Sequence, residues 1–230
     1  MPERSRNPAT PDRDAALRQY RRRAAIYDRE LRPFEPLRRM AISRLGLQAG
    51  EAVLDLGCGT GLSLPLLVDA VGPGGRVIGV EQSPEMISLA RHRKTASHWS
   101  QVHLHNAPVE SARIEGPPAD AALFHFTHDI LQRPDAVLHV LAHLRPGARI
   151  VACGLQWAPP WALLSNLFVL GAAYHSVTTM VGLNQPWRLL AEALTEFEAV
   201  SHWMGAIYIA RGVWPGPALR HPLPAGQRPA

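Results

Sequence analysis

Val53-Leu-Asp-Leu-Gly-Cys-Gly-Thr-Gly61 decides how this chain is read. Val53 to Leu56 are strand-like and feed straight into a turn with glycine at every second position, Gly57, Gly59 and Gly61. Such a turn adopts backbone conformations closed to other residues and brings bare amides against a ligand, and a helix that follows it aims its positive end the same way. The stretch predicts a nucleotide-type site at the end of a strand. Its spacing is Asp55-x-Gly57-x-Gly59-x-Gly61, not the G-x-G-x-x-G of dinucleotide-binding folds, and it carries a carboxylate just before the first glycine.

That carboxylate discriminates between ligands. It repels a pyrophosphate but attracts a molecule bearing an ammonium and a sulfonium, and S-adenosylmethionine is of that kind. Twenty residues past Gly61, the strand-like Arg76-Val-Ile-Gly-Val-Glu81 ends in an acid placed to accept hydrogen bonds from both hydroxyls of a ribose. Ser83-Pro84-Glu85 then reads as an N-cap, a first-turn proline and a first-turn acid opening a helix from Met86 to Arg93.

With this order of strand, glycine turn, helix, strand, acid and helix, the segment from about Ala52 to Arg211 resembles the class I S-adenosylmethionine-dependent methyltransferases, of the small-molecule and lipid type that includes the quinone and phospholipid enzymes. The resemblance implies an α/β, Rossmann-like fold: a seven-stranded, mostly parallel sheet with an antiparallel last strand and helices on both faces. It also implies that Asp55, Gly57, Cys58, Gly59 and Gly61 line the methionine part of the cofactor, that Glu81 holds the ribose, and that Gln82 and Met86 flank the adenine. The third strand, Gln101 to His105, is expected to end where the family has an adenine-contacting acid. Here Asn106-Ala107 stands in that place, and an Asn carbonyl still accepts from an amino group. Tyr27-Asp28 resembles a Tyr-Asp pair ahead of the glycine motif in related enzymes, which implies that Tyr27 covers the cofactor.

At 230 residues and 47% hydrophobic content the chain can bury a sizeable core. Two cysteines, Cys58 and Cys153, give neither metal spacing nor a disulfide framework, and the charged Met1-Pro-Glu-Arg-Ser-Arg start lacks an apolar stretch, so the expected location is cytoplasmic. The expected organisation is a basic helical cap over 1–45, a cofactor-binding domain over 46–212 with an apolar lid at about 155–187, and a flexible proline-rich end over 213–230. Twelve of the 24 basic residues fall in the first 44, against six acids. Asp14 to Leu31 reads as one amphipathic helix whose Arg21-Arg22-Arg23 run meets solvent, an anionic membrane surface or nucleic acid. Nucleic acid is disfavoured, because no aromatic residues interleave with the arginines and no RNA-binding module is recognisable. The oligomeric state is not readable.

The fourth strand, Ala119 to Phe126, leads into Thr127-His-Asp-Ile-Leu131, without the Asn/Asp-Pro-Pro-aromatic motif of methyltransferases acting on nucleobases or protein amides. His125 and His128 are candidate proton acceptors there, with a purely structural role as the alternative. His139 and His143 have helical i,i+4 spacing, but no H-E-x-x-H pattern and no third ligand accompany them, so no metal site is expected. A helix over Asp135 to Leu144, the Arg145-Pro-Gly147 turn and a fifth strand over Ala148 to Gly154 follow, and the chain closes with a helix from Pro186 and strands over Phe197 to Trp203 and Ala206 to Arg211.

From Ile150 to Trp187 there is no Asp, Glu, Lys or Arg in 38 residues. Polar residues dilute the run, and a span here would split the sheet, so it reads as an apolar lid, with interfacial rings at Trp157, Trp161, Phe168 and Tyr174, or as ordinary core helix. The expectation is a methyltransferase acting on a hydrophobic small molecule or lipid, with peripheral membrane contact left open. The alternatives are a methyltransferase of a polar or aromatic secondary metabolite, and a non-catalytic S-adenosylmethionine- or RNA-binding protein.

Overall fold

The computed structural model describes residues 11–23 and 26–217. In chain order the elements are α1 (Arg13–Arg23), α2 (Tyr27–Glu30), α3 (Glu35–Arg44), β1 (Ala52–Leu56), α4 (Leu64–Val71), β2 (Arg76–Glu81), α5 (Pro84–Ala96), β3 (Val102–Asn106), β4 (Ala119–His125), α6 (His128–Leu131), α7 (Pro134–Ala142), β5 (Leu144–Leu155), α8 (Leu163–Ser176), α9 (Arg188–Ala193), β6 (Thr195–His202) and β7 (Ile207–Val213).

The strands form one sheet in the order β3-β2-β1-β4-β5-β7-β6. Only β7 runs against its neighbours, β5 and β6. All five residues of β1 are buried, as a central strand covered on both faces requires. Side chains alternate between two cores. Leu54, Leu56, Phe124 and Ala152 pack with Ala136, Val137 and Val140 of α7, while Val53, Leu123 and Val151 pack with Leu37 and Ala41 of α3 and with Leu67 and Val71 of α4. From β1 the chain turns one way to β2 and β3, then crosses to β4, so the strand order reverses between β1 and β4. Outside the carboxyl ends of such strands a crevice opens for ligands.

Several boundaries differ from the sequence reading for physical reasons. The single helix expected over Asp14 to Leu31 is two, α1 and the one-turn α2, and residues 24 and 25 lie outside the described residues. The fifth strand begins at Leu144 rather than Ala148, because Arg145-Pro146-Gly147 is absorbed as an irregularity where Ala119 and Ala121 pair with Leu144 and Arg149. Ser83 caps α5 as expected, accepting from the Met86 amide at 3.3 Å. Of the proline-rich end, residues 218–230 lie outside the described residues. Trp214 is buried, and its backbone bonds the amide of Gly147 and the carbonyl of Ala148.

Trp214 therefore locks the last strand against the start of β5. Trp214→Ala is expected to destabilise the protein by about 3–5 kcal/mol through the cavity it leaves, read as a lower urea midpoint at unchanged slope.

Candidate functional site

The turn after β1 is held by its neighbour strand. The Val80 carbonyl accepts from the amides of Gly57 at 2.8 Å and Cys58 at 3.0 Å, and the Gly61 amide donates to the Cys58 carbonyl at 2.9 Å. Gly57 has φ +72°, and a Cβ there would stand 2.6 Å from the Thr127 methyl, so the loops after β1 and β4 approach as closely as they do only because no side chain intervenes. Gly59, at φ +57°, faces the ring of Tyr27.

Glu81 joins the two turns. Its Oε2 accepts from the Gly59 amide at 3.1 Å and its Oε1 from the Ser83 amide at 2.7 Å. Burial pushes its pKa up, while the backbone donors at Ser83, Gly59 and Gln82 pull it down. Each carboxylate oxygen keeps a further lone pair, and the group lines a cleft at the carboxyl ends of the strands.

Tyr27, Gly57, Gly59, Glu81, Gln82, Met86, Ala107, His125 and His128 all line this cleft. Four other anticipated positions do not. Asp55, Cys58 and Gly61 support the turn from beneath, with the Cys58 sulfur packed towards Gly79. Asn106 is exposed, and its amide nitrogen donates to the carbonyls of Glu81 at 2.9 Å and Gln82 at 3.1 Å, bracing the end of β2. The side-chain donor is thus spent on the backbone, and Ala107 is the residue of the pair that reaches the cleft.

Beneath the turn lies a set of unsatisfied buried groups. Asp55 Oδ2, Arg38 Nε, His125 Nε2 and Thr127 Oγ1 have no hydrogen-bond partner among the described residues. Burial pushes the Asp55 carboxyl up to about 7, against the opposing pull of the Arg38 charge. Burial first, and then Arg38, push His125 down to about 3, which keeps its ring neutral. Arg38 is itself buried on α3 and pairs with Glu35 at 2.6 Å. Its role was not visible in the sequence, where it is one of a dozen N-terminal arginines.

The loop after β4 supplies a different pair. His128 Nε2 lies 3.0 Å from the Val181 carbonyl, so that nitrogen carries the proton and donates, and Nδ1, without a partner among the described residues, keeps its lone pair. Burial lowers the His128 pKa, and the charge of Asp129 and two backbone bonds oppose it. Asp129, raised by burial, accepts from the Thr178 hydroxyl at 2.7 Å and from the Thr178 amide. The other histidine pair is occupied by the backbone: His139 Nε2 bonds the Ala112 carbonyl and His143 Nδ1 the His139 carbonyl.

The N-terminal elements close the cleft, a contribution sequence reasoning caught only at Tyr27. Asp28 accepts from the Thr60 hydroxyl at 2.5 Å and from Arg93 at 2.7 Å, which fixes α2 over the glycine turn and α5. Pro11, Asp12, Arg13 and Ala16 form the opposite wall, where Arg13 and Arg133 share Glu110. The bonds of Asp28 to Thr60 and Arg93 and of Arg13 to Glu110 join residues 32, 65 and 97 apart, and no local signal announces them.

Residues 53–147 match the family model described as a methyltransferase domain. Over that stretch the chain is similar to methyltransferase domains. S-adenosylmethionine is the cofactor of such domains. The chain is 30% identical over 126 residues to a ubiquinone/menaquinone biosynthesis C-methyltransferase of Geobacter sp., covering 54% of this chain and 52% of that one. It is 38% identical over 110 residues to a trans-aconitate 2-methyltransferase of Azoarcus sp., covering 46% and 40%. It spans about half, or less, of the curated relatives it matches. The fold is shared with the methyltransferase solved in complex with the Haloferax volcanii activator Trm112, at TM-score 0.62 and 16% identity over 85% of this chain and 97% of that one. Under its glycine turn the chain holds a buried carboxylate, Asp55, whose Oδ2 has no partner among the described residues, and in the cleft a second acid, Glu81, an acceptor set that fits a cationic nucleoside.

In the free protein Asp55 takes up a proton as pH falls through about 7, and a neutral carboxyl does not attract an ammonium group. Affinity for S-adenosylmethionine is therefore expected to rise as pH climbs through about 7 and level off above it. Calorimetric titration across that range checks this, with Asp55→Asn expected to bind more weakly and to lose the difference from wild type on the acid side.

Proposed function

We propose that this protein transfers a methyl group from S-adenosylmethionine to a hydrophobic acceptor, quinone-like or phospholipid-like, at a membrane surface. The observation that carries the reading is the composition of the acceptor side. Phe126 and Ile130 give that side apolar walls, and the charge-free segment that follows β5 borders it without an ionised group, through Ser176, the Val181 carbonyl on His128 and Thr178 on Asp129.

When bound, S-adenosylmethionine supplies an already activated methyl on a sulfonium. The chain has to align the reactants and remove charge. Glu81 accepts from the ribose hydroxyls, Gln82, Met86 and Ala107 flank the adenine, and Asn106 holds the end of β2 in place for them. Gly57, Cys58, Gly59 and Gly61 shape the turn around the methionine end, Asp55 favours its ammonium, and Tyr27, fixed by Asp28, excludes water above it. His128 lines the cleft and keeps a lone pair on Nδ1, and the proton lost by an acceptor hydroxyl or activated carbon goes to it. His125, neutral and buried beside it, positions the acceptor.

A second reading has an observation of its own. Arg13 and Arg133 around Glu110 give one wall of the cleft a charged character that suits a polar, anionic acceptor such as a carboxylic acid metabolite. A radiolabelled methyl donor incubated with a lipid extract and, separately, with small organic acids distinguishes the two. Incorporation into neither, with donor binding retained, would leave a non-catalytic binding protein.

On the favoured acceptor, His128→Ala is expected to lower kcat by roughly 100-fold or more, with little change in donor affinity. Gly59→Ala and Glu81→Ala are expected to weaken S-adenosylmethionine binding at least about tenfold, since one pushes a methyl into the cleft and the other removes the acid that ties the two turns. Titration with NAD in parallel should show no binding.

A further inference from the structure

Helix α8 is amphipathic in the reverse sense. It buries small or short side chains, Ser165, Val169 and Ala173, and turns its large ones outward: Leu163 is 75% exposed, Leu164 82%, Leu167 65% and Tyr174 74%. These share one face at helical spacing, and Trp161, 73% exposed, precedes them. Met180 and Val181 after the helix, and Trp203 and Met204 in the turn between β6 and β7, are exposed as well. Phe168 and Trp203 approach each other, with ring centroids 6.0 Å apart, so the helix and that turn make one surface. A monomeric protein in water rarely leaves so many large apolar groups on contiguous elements.

We infer that this face docks in the plane of an anionic phospholipid bilayer. Three observations select a bilayer over a protein groove. First, the face has no charged group anywhere between Ile150 and Trp187, hence no polar pattern with which to specify a partner. Second, Trp161 just before α8 and Tyr174 near its end stand exposed at the two ends of the face, as amphipathic rings do at the boundary of lipid and water. Third, α1 packs against α8 and carries five arginines to one aspartate; Arg13 is taken up by Glu110 and the exposed Arg21 by Glu85 at 2.7 Å, while Arg18 is exposed, and the excess of arginine over acid on the helix sets a basic flank beside the apolar one. The orientation is in-plane, because no helix among the described residues is long and apolar enough to cross a membrane.

The docked face leads to the cleft. Ser176, the last residue of α8, lines it, and Thr178 just beyond accepts from the Asp12 amide at 2.9 Å while bonding Asp129. A lipid-borne acceptor therefore has its entrance where the protein meets the bilayer. This route rests on the acceptor proposed above, whereas the docking itself rests only on the surface.

The test is co-sedimentation with vesicles of phosphatidylcholine alone and of phosphatidylcholine mixed with phosphatidylglycerol. The wild-type chain is expected to sediment with the mixed vesicles and much less with the neutral ones. Leu164→Asp combined with Leu167→Asp, both at exposed positions, is expected to cut binding by roughly tenfold or more. Arg18→Glu, at an exposed position on the basic flank, is expected to weaken the preference for the anionic vesicles. Failure of the wild type to bind either vesicle overturns the inference. So does a dimer seen by light scattering that the leucine variant dissociates, which would give the face to a second copy. S-adenosylmethionine titration of the same variants separates this result from the methyltransferase reading: donor binding without vesicle binding removes the membrane and leaves the domain.

Discussion

One buried carboxylate holds the cleft together. Glu81 accepts a backbone amide from the turn after β1 and another from the turn after β2, so the two loops that border the cleft are tied to the same side chain. Removing a carboxylate from water costs several kcal/mol unless donors replace the lost hydration, and backbone amides supply that replacement here. The glycines matter in the same economy of space. Without a bare Gly57 the loop carrying Thr127 and His128 could not come close enough to share the cleft.

The half of the cleft built on β1 and β2 was legible in the sequence, because that half is local. From Val53 to Met86 every element announces itself by spacing: a buried strand, alternate glycines, a second strand ending in an acid, then Ser-Pro-Glu at a helix start. The sheet followed from the alternation of strand and helix signals, and the reversed last strand from the family resemblance. Asn106 shows where local reading stops. Its place at the end of β3 was clear, but the direction of its amide depends on two carbonyls across the strand gap.

The rest of the site is made by distant partners. Arg38 acts on Asp55 from α3, Asp28 ties α2 to Thr60 and Arg93, and Val181 fixes the tautomer of His128 from 53 residues away. None of these pairings has a periodicity or a spacing to reveal it. The break between α1 and α2 belongs to the same class, since one helical pattern in the sequence serves two elements that meet different parts of the cleft.

The 32 residues between Leu155 and Arg188 are not needed to complete the sheet, and the matched family region ends at Gly147, before they begin. That connection reaches the cleft through Ser176 and through the bonds of Val181 and Thr178 to His128 and Asp129. Changes in it can accumulate without disturbing the strand order, the glycine turn or Glu81. A lineage carrying this arrangement can therefore vary one border of the cleft by rewriting a single connection, while the sheet beneath it is inherited intact.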